Sequence, residues 1–527
     1  MEKLIENKSM MPLVIGTVIM YLKKIYTEKE IVKILKEIFQ INKNEMYEKF
    51  IEVETYDELD DVLSKINEYS LDRKKRGVYY TPKDLVKYVI DNTIKIKELK
   101  QNYEKICFKY NVFDPTCGTG EFLLGMLNFK INLLTKNKKN ITKNEIERVI
   151  STLYGNDINI ESIKITKIRI LLNILDKFGV ETIIGISSFL IKNFYNYDFV
   201  TEKKDIPSFD IIIGNPPYIE VKKTELGDNY KYGNIYANVL ENSSLLIKKY
   251  GVMSFIVPLS YVATPRMYKI REKMKKKFGE HHIINFSDRP DCLFVDVHQK
   301  LSIIFFKDTE KKVLYTSNYN YWYKNERKYL FNKISTIENK YEHEKFIPKL
   351  GNKIEIQIYD KIIKLKKSFF EKINKLEGQE LYINLRATYW IKVFDTKQKS
   401  SEYKEFKVNK NEKYYIYCLL NSSLFWWYWI CVSDCWHITQ KELKSFMVPD
   451  IIDEKKWQQL ARELKVKLEK TKVFVGTKQT DYEYKHKECL DIIHKIDDKI
   501  CKMYGLSMEE KEYIKTYALK YRTGRIE

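Results

Sequence analysis

The sequence lacks an apolar run long enough to cross a membrane as a helix. The apolar stretch at residues 10–22 is too short for that purpose, and no small-residue cleavage site follows it. We expect this stretch to form a helix that packs on the rest of the protein. Internal repeats and long low-complexity linkers are also missing, and 44% of the residues are apolar, which excludes a largely disordered chain.

Cysteine is scarce, with eight residues among 527. Their spacing matches no disulfide framework, so we expect reduced thiols, as in the cytosol. Cys431, Cys435 and His437 lie close together in the chain, but no second pair of ligands follows, and we predict no metal site. The lysine and Ser/Thr of a Walker motif are missing from the glycine-rich turn described below, which disfavours nucleotide hydrolysis.

Acidic residues are too few to balance the basic ones. The chain has 93 Lys and Arg against 72 Asp and Glu, a formal charge of +21 and a pI near 9.2. This excess favours a polyanionic partner, nucleic acid rather than an acidic membrane surface. Part of the excess also follows from the Lys, Ile, Asn and Tyr usage that an AT-rich genome produces. The length allows several domains with their own cores.

The pattern of apolar residues divides the chain into four segments. Residues 1–72 indicate a helical extension. Residues 73–310 alternate short apolar strands with helices, which is typical of a doubly wound α/β domain. Residues 311–450 are rich in Tyr, Trp and Lys without clear βαβ units, and residues 451–527 return to charged helices. We predict a mixed α/β domain for residues 311–450 and a helical region for residues 451–527.

Five apolar segments of the α/β region are predicted to be strands, at residues 111–113, 154–157, 209–213, 252–257 and 301–306. Ahead of the first strand, Thr81 and Pro82 are predicted to form the N-cap and first turn of an amphipathic helix. In an open parallel sheet, ligands bind beyond the carboxyl ends of the strands. The residues that follow each predicted strand are therefore the candidates for function.

Glycine and acidic residues follow the first two strands. Residues 113–120 read FDPTCGTG, a turn in which glycines let the backbone approach a ligand at the start of a helix, although such turns also occur without a ligand. Asp157 ends the second strand, where a carboxylate can accept hydrogen bonds from a ribose diol or simply cap a helix. Asp198 is either an acceptor beside an adenine edge or a polar loop residue.

The stretch 209–218 reads FDIIIGNPPY, a buried strand that ends on Asn215, Pro216, Pro217 and Tyr218. The exocyclic amino nitrogen of adenine is a poor nucleophile because its lone pair is delocalised into the ring. The Asn215 side-chain oxygen and the Pro216 carbonyl can accept both amino hydrogens, and the prolines hold these acceptors rigid. Tyr218 offers a flat face on which an extruded base can stack. Methyl transfer from a sulfonium then needs alignment rather than a general base or a metal.

The order of these motifs resembles that of gamma-class DNA adenine-N6 methyltransferases from restriction-modification systems. The resemblance runs from about Arg76 to Phe306, and the residues at 215–218 are its most specific part. It implies S-adenosyl-L-methionine as cofactor, a Rossmann-like catalytic domain and a C-terminal domain that recognises the DNA target. It also implies double-stranded DNA as partner and allows a separate restriction endonuclease. Oligomeric state stays open.

The resemblance also assigns roles at the methionine end of the cofactor. Tyr80 and Thr81 would lie near the methionine portion. The cofactor loop would be formed by Asp114, Thr116, Gly118 and Gly120. Cys117 and Thr119 stand where the family often has a fuller glycine pattern, and we expect this difference to be tolerated.

Further residues would bind the nucleoside end and the target base. By resemblance, Asp157 would accept the ribose hydroxyls, Asp198 would bind the adenine amino group, and Ile158 and Phe199 would sandwich the cofactor adenine. Phe294 resembles the second aromatic that packs against the flipped base. A phenylalanine beside a strand is, however, more often part of the core.

The C-terminal half offers candidates for DNA recognition. Residues 419–429 are predicted to be one aromatic helix, mostly core, followed by an exposed loop at 433–437 and a capping box from Thr439 to Glu442. The loop is the better candidate for touching DNA, and His437 can contact a base. The lysine-rich runs at 364–367 and 407–413 would meet phosphates, or are simply solvated faces.

Other readings stay open at this point. The same Asn-Pro-Pro-Tyr device occurs in methyltransferases that act on RNA bases or on protein glutamine, although a large basic and aromatic second domain favours long nucleic acid. Cytosine-N4 methylation would more usually have Ser in place of Asn215. A non-catalytic DNA-binding subunit of a defence complex is opposed by the complete set of cofactor and catalytic residues.

Overall fold

A computed structural model describes residues 9–40, 49–66, 80–98, 102–222, 231–295, 297–373, 378–449, 454–477 and 480–524. Arg76, where the resemblance begins, lies outside the described residues. Among the described helices, none is both long and apolar enough to span a membrane. The chain divides into two compact units, and the prediction of four segments stays a prediction. Unit 1 comprises Met1–Pro258, Lys269–Ile283 and Leu293–Val313, and unit 2 comprises Leu259–Tyr268, Ile284–Cys292 and Leu314–Glu527.

Up to residue 313, short helices precede and separate the strands. The α-helices are α1 (Met11–Lys23), α2 (Glu28–Phe39), α3 (Tyr56–Lys65), α4 (Lys83–Lys97), α5 (Tyr103–Phe108), α6 (Glu121–Asn137), α7 (Lys143–Ile150), α8 (Ile160–Phe178), α9 (Val180–Ile183), α10 (Ser187–Asn193), α11 (Ile235–Leu246), α12 (Ser260–Ala263) and α13 (Tyr268–Lys277). The predicted helical character of the N-terminal region is confirmed for its described part.

The strands of unit 1 form one sheet in the order β3-β2-β1-β4-β5-β7-β6. They are β1 (Val112–Asp114), β2 (Leu153–Asn156), β3 (Phe194–Tyr195), β4 (Phe209–Gly214), β5 (Ile247–Pro258), β7 (Leu301–Lys307) and β6 (Glu280–Phe286), of which the first four residues belong to this unit. The pairs among β3, β2, β1, β4 and β5 are parallel, and β7 runs antiparallel to β5. This confirms the predicted Rossmann-like α/β fold and all five predicted strands.

Burial explains why these segments form strands and helices. The isoleucines of β4 at 211–213 are fully buried, as expected for a central strand covered on both faces. Five apolar positions of α4 are buried in the core, namely Leu85, Val86, Val89, Ile90 and Ile94. The prediction for the start of α4 was wrong, because Pro82 is the N-cap and no side chain caps the helix. The hydroxyl of Thr81 has a different partner, described below.

Unit 2 combines small antiparallel sheets with helices. Its sheets pair β8 with β9, β10 with β14, β15 with β16, and β11 with both β12 and β13. The strands are β8 (Val313–Asn320), β9 (Ile337–Glu338), β10 (Lys367–Ser368), β11 (Gln379–Asn384), β12 (Val393–Phe394), β13 (Tyr403–Val408), β14 (Met447–Val448), β15 (Val473–Phe474) and β16 (Tyr482–Glu483). The helices are α14 (Arg327–Leu330), α15 (Lys353–Ile363), α16 (Lys413–Leu420), α17 (Ser423–Val432), α18 (Gln440–Ser445), α19 (Glu454–Thr471), α20 (Leu490–Met503), α21 (Met508–Thr516) and α22 (Leu519–Thr523).

The aromatic segment at 419–429 is not one helix. It breaks at Asn421, where the side chain of Ser422 accepts from the Phe425 amide and caps the second helix, α17. Every residue of α17 is buried, which confirms that these aromatics are core. The predicted capping box from Thr439 to Glu442 is confirmed.

Candidate active site

The strand order of unit 1 reverses beside β1, which pairs with β2 on one side and with β4 on the other. Such a reversal opens a crevice beyond the carboxyl ends of the strands. Asp114 is the last residue of β1 and Gly214 the last residue of β4. The glycine turn and the Asn-Pro-Pro-Tyr segment therefore leave the sheet at the same edge.

The glycine turn after β1 is shaped by two left-handed residues. Gly118 has φ +53° and Gly120 has φ +94°, both in a region that favours glycine. A Cβ on Gly120 would lie 2.6 Å from Cγ2 of Thr166 on α8, whereas one on Gly118 would meet nothing within 4 Å. Gly120 is thus required for packing, and Gly118 lies beside open space.

Asp157 ties the end of β2 to this turn. Its Oδ2 accepts a hydrogen bond of 2.9 Å from the Gly118 amide, and its Oδ1 accepts one of 2.8 Å from the Asn159 amide. The cap of α8 is Asn159, whose side chain accepts from the Glu161 amide. Asp157 is therefore not the helix cap, and its carboxylate faces the glycine turn. Burial raises the pKa of this carboxyl above its ordinary value, against the effect of the two amides.

Asp114 lies in the base of the crevice. Its Oδ1 accepts from the Thr116 amide at 3.1 Å, and burial, with a further contribution from Asp157, raises its pKa well above the ordinary value. A Cβ on Gly214 would lie only 2.7 Å from this Oδ1. The glycine before Asn215 is thus explained by the close approach of the Asp114 carboxylate to the end of β4.

The side chain of Asn215 is fixed from both ends. Its Nδ2 donates to Oγ1 of Thr81 at 3.2 Å, and its Oδ1 accepts a 2.5 Å hydrogen bond from the hydroxyl of Tyr218. The Tyr218 hydroxyl also lies 3.2 Å from the carbonyl oxygen of Ile256 on β5. The next residue after Asn215, Pro216, is buried. The amide oxygen therefore points away from Thr81 in a defined orientation. The Thr81 hydroxyl, which was predicted to cap α4, instead accepts this long-range hydrogen bond from Asn215.

The residues predicted for the cofactor adenine lie on the β2 side. Asn196 holds the backbone after β2, since its Nδ2 donates to the carbonyl oxygens of Asp157 and Ile158. Ile158 is 71% exposed, whereas Phe199 is buried with its ring 5.8 Å from that of Phe113. Asp198 forms a turn, with Oδ1 accepting from the Val200 amide at 2.9 Å. An adenine sandwich between Ile158 and Phe199 stays a prediction, as does the role of Asp198.

Tyr80 and Phe294 occupy different environments. Tyr80 is partly exposed beneath Lys65, whose Nζ lies 5.3 Å from the ring centroid, and burial raises the pKa of its phenol. Phe294 is 1% exposed and forms an isolated antiparallel bridge with Val297. The proposed contact of Phe294 with a flipped base remains a prediction.

A polar stripe on α8 was missed from the sequence. Thr166, Arg169 and Asn173 are all buried, although most of the surrounding helix positions are apolar. Thr166 donates to the carbonyl oxygen of Gly118 at 2.8 Å, and Arg169 donates to that of Thr119 at 2.6 Å. Their spacing at i, i+3 and i+7 places them on one helix face and was the available signal.

A cavity of 420 Å³ is lined by residues of α3, α4, α6 and α8. Its lining includes Asp60, Lys83, Glu121 and Arg169. The crevice residues Asp114, Gly118, Asp157 and Asn215 are not among the residues lining it. This cavity is therefore distinct from the crevice at the strand ends.

In unit 2, the loop at 433–438 is firmly held, and the predicted exposure of residues 433–437 is found only at His437, since Ser433 and Cys435 are buried and Asp434 and Trp436 are half-buried. Asp434 accepts from the amides of Trp436 and His437 at 2.9 and 2.7 Å, and its Oδ2 lies 2.9 Å from Nδ1 of His437. Cys435 adopts φ +57°, and the guanidinium of Arg289 lies 5.4 Å from the Trp436 ring centroid. The His437 ring thus has a fixed orientation that leaves its Nε2 on the far side from Asp434.

The crevice, the glycine turn and the strand order define a Rossmann-like α/β domain. Residues 151–292 match the family described as "Eco57I restriction-modification methylase". The matched residues include Asp157, Asp198 and Asn215. This confirms the resemblance to restriction-modification methyltransferases.

Two relatives are longer than this chain. One is the type II restriction enzyme and methyltransferase RM.Eco57I of Escherichia coli, 25% identical over an alignment of 345 residues that covers 54% of this chain and 33% of that protein. Another is the adenine-specific methyltransferase PglX of Streptomyces coelicolor, 23% identical over an alignment of 196 residues that covers 30% of this chain and 16% of that protein. The matched parts thus span a third or less of these relatives.

Among solved structures, the type IIL restriction-modification enzyme MmeI in complex with DNA shares the fold. The TM-score is 0.52 at 12% sequence identity, and the match covers 88% of this chain and 81% of that chain. At this identity the likeness bears on the fold alone.

Proposed function

We propose that this chain is a DNA methyltransferase that transfers a methyl group from S-adenosyl-L-methionine to the N6 amino group of an adenine flipped out of duplex DNA. We place it in a restriction-modification or defence system. One observation carries the proposal: the Asn215 amide is oriented by Thr81 at the crevice edge of the sheet, with the buried Pro216 directly after it.

The residues around the glycine turn fit S-adenosyl-L-methionine. Oγ1 of Thr116 is buried without a hydrogen-bond partner in the described part of the chain, and the space beside Gly118 is open. Asp157 and Asp114 lie close together, which favours a ligand with positive charge. When bound, this cofactor supplies a methyl group on a sulfonium with a good leaving group. Asp157 would hold its ribose, and Asp114, Thr116 and Gly118 would line its methionine end.

Asn215 and Pro216 would act on the adenine amino group. Each offers one carbonyl oxygen, so that together they can hold both amino hydrogens and localise the nitrogen lone pair. Because Thr81 occupies the amide nitrogen of Asn215, the oxygen rather than the nitrogen faces the base. Such preoriented acceptors stabilise charge that develops on the amine during transfer.

Tyr218 would place the base against these acceptors. Its hydroxyl is anchored on the Asn215 oxygen and near the Ile256 carbonyl, which fixes the ring. An amide oxygen has two lone pairs and can accept from Tyr218 and from an adenine amino group together. The ring face then serves for stacking.

Unit 2 would read the target sequence through the loop at 433–438. His437 presents Nε2, and Arg289 presents a guanidinium over Trp436, a pairing of charge and aromatic surface that suits base edges. Lysines at 364–367 and 407–413 would contact phosphates and set register without specifying bases. A separate endonuclease partner is compatible with this arrangement.

The test is transfer of a labelled methyl group by the purified chain to duplex DNA, single-stranded RNA and a glutamine peptide. We expect label on adenine in duplex DNA only. Label on RNA or peptide but not on DNA would contradict the proposal, and label on cytosine would overturn its choice of base. No transfer, with cofactor bound normally, would favour the non-catalytic DNA-binding subunit.

A further inference from the structure

A buried set of charges connects the N-terminal helices to the glycine turn. Arg169 on α8 is 1% exposed, and its Nη1 lies 2.6 Å from both the carbonyl oxygen of Thr119 and the carboxylate of Glu121. Its Nε and Nη2 lie 3.0 and 2.9 Å from one carboxylate oxygen of Asp60 on α3. One guanidinium thus spans α3 and the residues around Gly120.

The other oxygen of Asp60 reaches a second segment of the site. It accepts from Nζ of Lys83 at 2.9 Å, and Lys83 is the first residue of α4, two positions after Thr81. A direct bond adds to the connection to α3, since Oγ1 of Thr119 donates to the carbonyl oxygen of Ser64 at 2.8 Å. The predicted cofactor loop and the segment predicted to lie near the methionine portion are therefore both fastened to α3.

The charges of this set are balanced and depend on one another. It contains two cations, Arg169 and Lys83, and two carboxylates, Asp60 and Glu121. Burial alone would raise the pKa of Asp60, but Arg169 and Lys83 bring it below the ordinary value. Burial raises the pKa of Glu121 in spite of Arg169. Removing one member leaves a buried charge uncompensated, which is costly and displaces its neighbours.

We propose that Asp60 is a positioning residue of the cofactor site, which holds the glycine turn through Arg169 and the Tyr80–Thr81 segment through Lys83. The N-terminal helical extension is then a part of the cofactor site rather than an appendage. This inference rests on the proposed function, because it assumes that the crevice binds S-adenosyl-L-methionine.

The test compares Asp60→Asn with Asp57→Asn in the full-length chain. Asp57 lies three residues earlier on α3 and is exposed. We expect Asp60→Asn to raise the Kd for S-adenosyl-L-methionine, measured by calorimetry without DNA, about tenfold, because supporting contacts keep a site in its binding geometry. We expect Asp57→Asn to stay within about twofold of the native chain, as surface substitutions usually do.

A purely structural role is distinguished by steady-state kinetics. For Asp60→Asn, the KM for S-adenosyl-L-methionine should rise while the KM for DNA stays unchanged. Asp60→Glu should restore part of the cofactor affinity. An unchanged cofactor Kd in Asp60→Asn, or an equal loss in Asp57→Asn, would overturn the proposal.

A second variant decides the matter if Asp60→Asn does not fold. Lys83 is half-exposed, so Lys83→Met removes one arm of the network with little risk to folding. It should weaken cofactor binding about threefold, which is less than the effect of changing the buried Asp60. An unchanged Kd would overturn the proposal. If the native chain itself binds no S-adenosyl-L-methionine, the proposed function fails. If it binds and the variants bind equally well, only this inference fails.

Discussion

The side-chain nitrogen of Asn215 donates a hydrogen bond to the hydroxyl oxygen of Thr81, 3.2 Å away and 134 positions earlier in the chain. Thr81 is 4% exposed, so this contact is shielded from water. It joins the segment before α4 to the end of β4, with the nitrogen of the amide turned toward Thr81. An asparagine free to turn over would offer its nitrogen, a donor, to an amino group that can only donate.

Thr81→Val should therefore lower the rate of methyl transfer without removing the cofactor site. Valine keeps the shape but leaves the Asn215 nitrogen without its acceptor. We expect kcat to fall roughly tenfold or more, in line with the loss of one oriented hydrogen bond, with the cofactor Kd within a few-fold of native. Thr135→Val is the matched control, since within the described residues the Thr135 hydroxyl bonds only to carbonyls of its own helix. Equal kcat in the two variants would contradict the orienting role.

Asp157 predicts a pH dependence of cofactor binding. Its ionised carboxylate is the proposed acceptor for the ribose hydroxyls, so affinity is full well above its pKa and falls as the pH drops through it. Because burial raises that pKa, the loss should begin at a higher pH than an ordinary aspartate would give. Calorimetric titration between pH 8 and about pH 5 should show a rising Kd for the native chain.

The variant Asp157→Asn tests whether the pH dependence of cofactor binding comes from the Asp157 carboxylate. It should bind the cofactor more weakly at every pH and with a shallower dependence, the remainder reflecting Asp114. Asp205→Asn, an exposed loop position, serves as the control and should follow the native curve. A native curve that is flat over this range would refute the assignment.

The two proposed roles of Tyr218, its hydroxyl bond and its stacking face, can be separated by two substitutions. Tyr218→Phe keeps the ring face but loses the hydroxyl bond to Asn215, whereas Tyr218→Ala loses both. With 2-aminopurine at the target position, the native chain and Tyr218→Phe should both change its fluorescence on binding DNA. Tyr218→Phe should keep this fluorescence change but lose turnover. Tyr218→Ala should show a weaker change, because stacking contributes about 1–3 kcal/mol per base. Identical signals in all three proteins would exclude stacking on this ring.

The loop at 433–438 predicts an effect on sequence preference. Arg289→Ala and His437→Ala should each relax discrimination at one position of the target by about 1–3 kcal/mol, as loss of a base contact does. Lys410→Ala should instead weaken binding to all sequences and reduce its salt dependence. Arg462→Ala, on the exposed face of α19, is the control. Binding-site selection with each variant would show which effect occurs, and an unchanged preference in both Arg289→Ala and His437→Ala would remove the loop and Arg289 from recognition.

The fold was largely predictable because its signals are local. Five of the seven strands of unit 1 contain short apolar runs followed by glycine, proline or acidic residues, and that pattern alone placed them and their C-terminal ends, whereas β3 and β6 were not predicted. The aromatic segment of unit 2 misled the prediction because the apolar residues on both sides of Asn421 were taken as one helical run. The signal of the break was the pair of small polar residues that follow Asn421, namely Ser422 and Ser423.

The site residues were predictable only at positions where few other residue types could take the same role. Gly120 and the residues at 215–218 have such restricted roles. The partner of Thr81 lies far away in sequence, and a Thr-Pro pair reads locally as a helix cap. The network of Asp60, Arg169 and Lys83 was missed for the same reason, since each residue alone is an ordinary charge on a helix.

The most direct test of the account is modification-sensitive sequencing of DNA from a methylation-free host that expresses either the native chain or Asn215→Ala. Asn137→Ala, an exposed position on α6, serves as the control. We expect N6-methyladenine at one sequence motif with the native chain and the control, and none with Asn215→Ala, although that variant still binds S-adenosyl-L-methionine. Adenine methylation that persists in Asn215→Ala, or modification of cytosine by the native chain, would contradict the account.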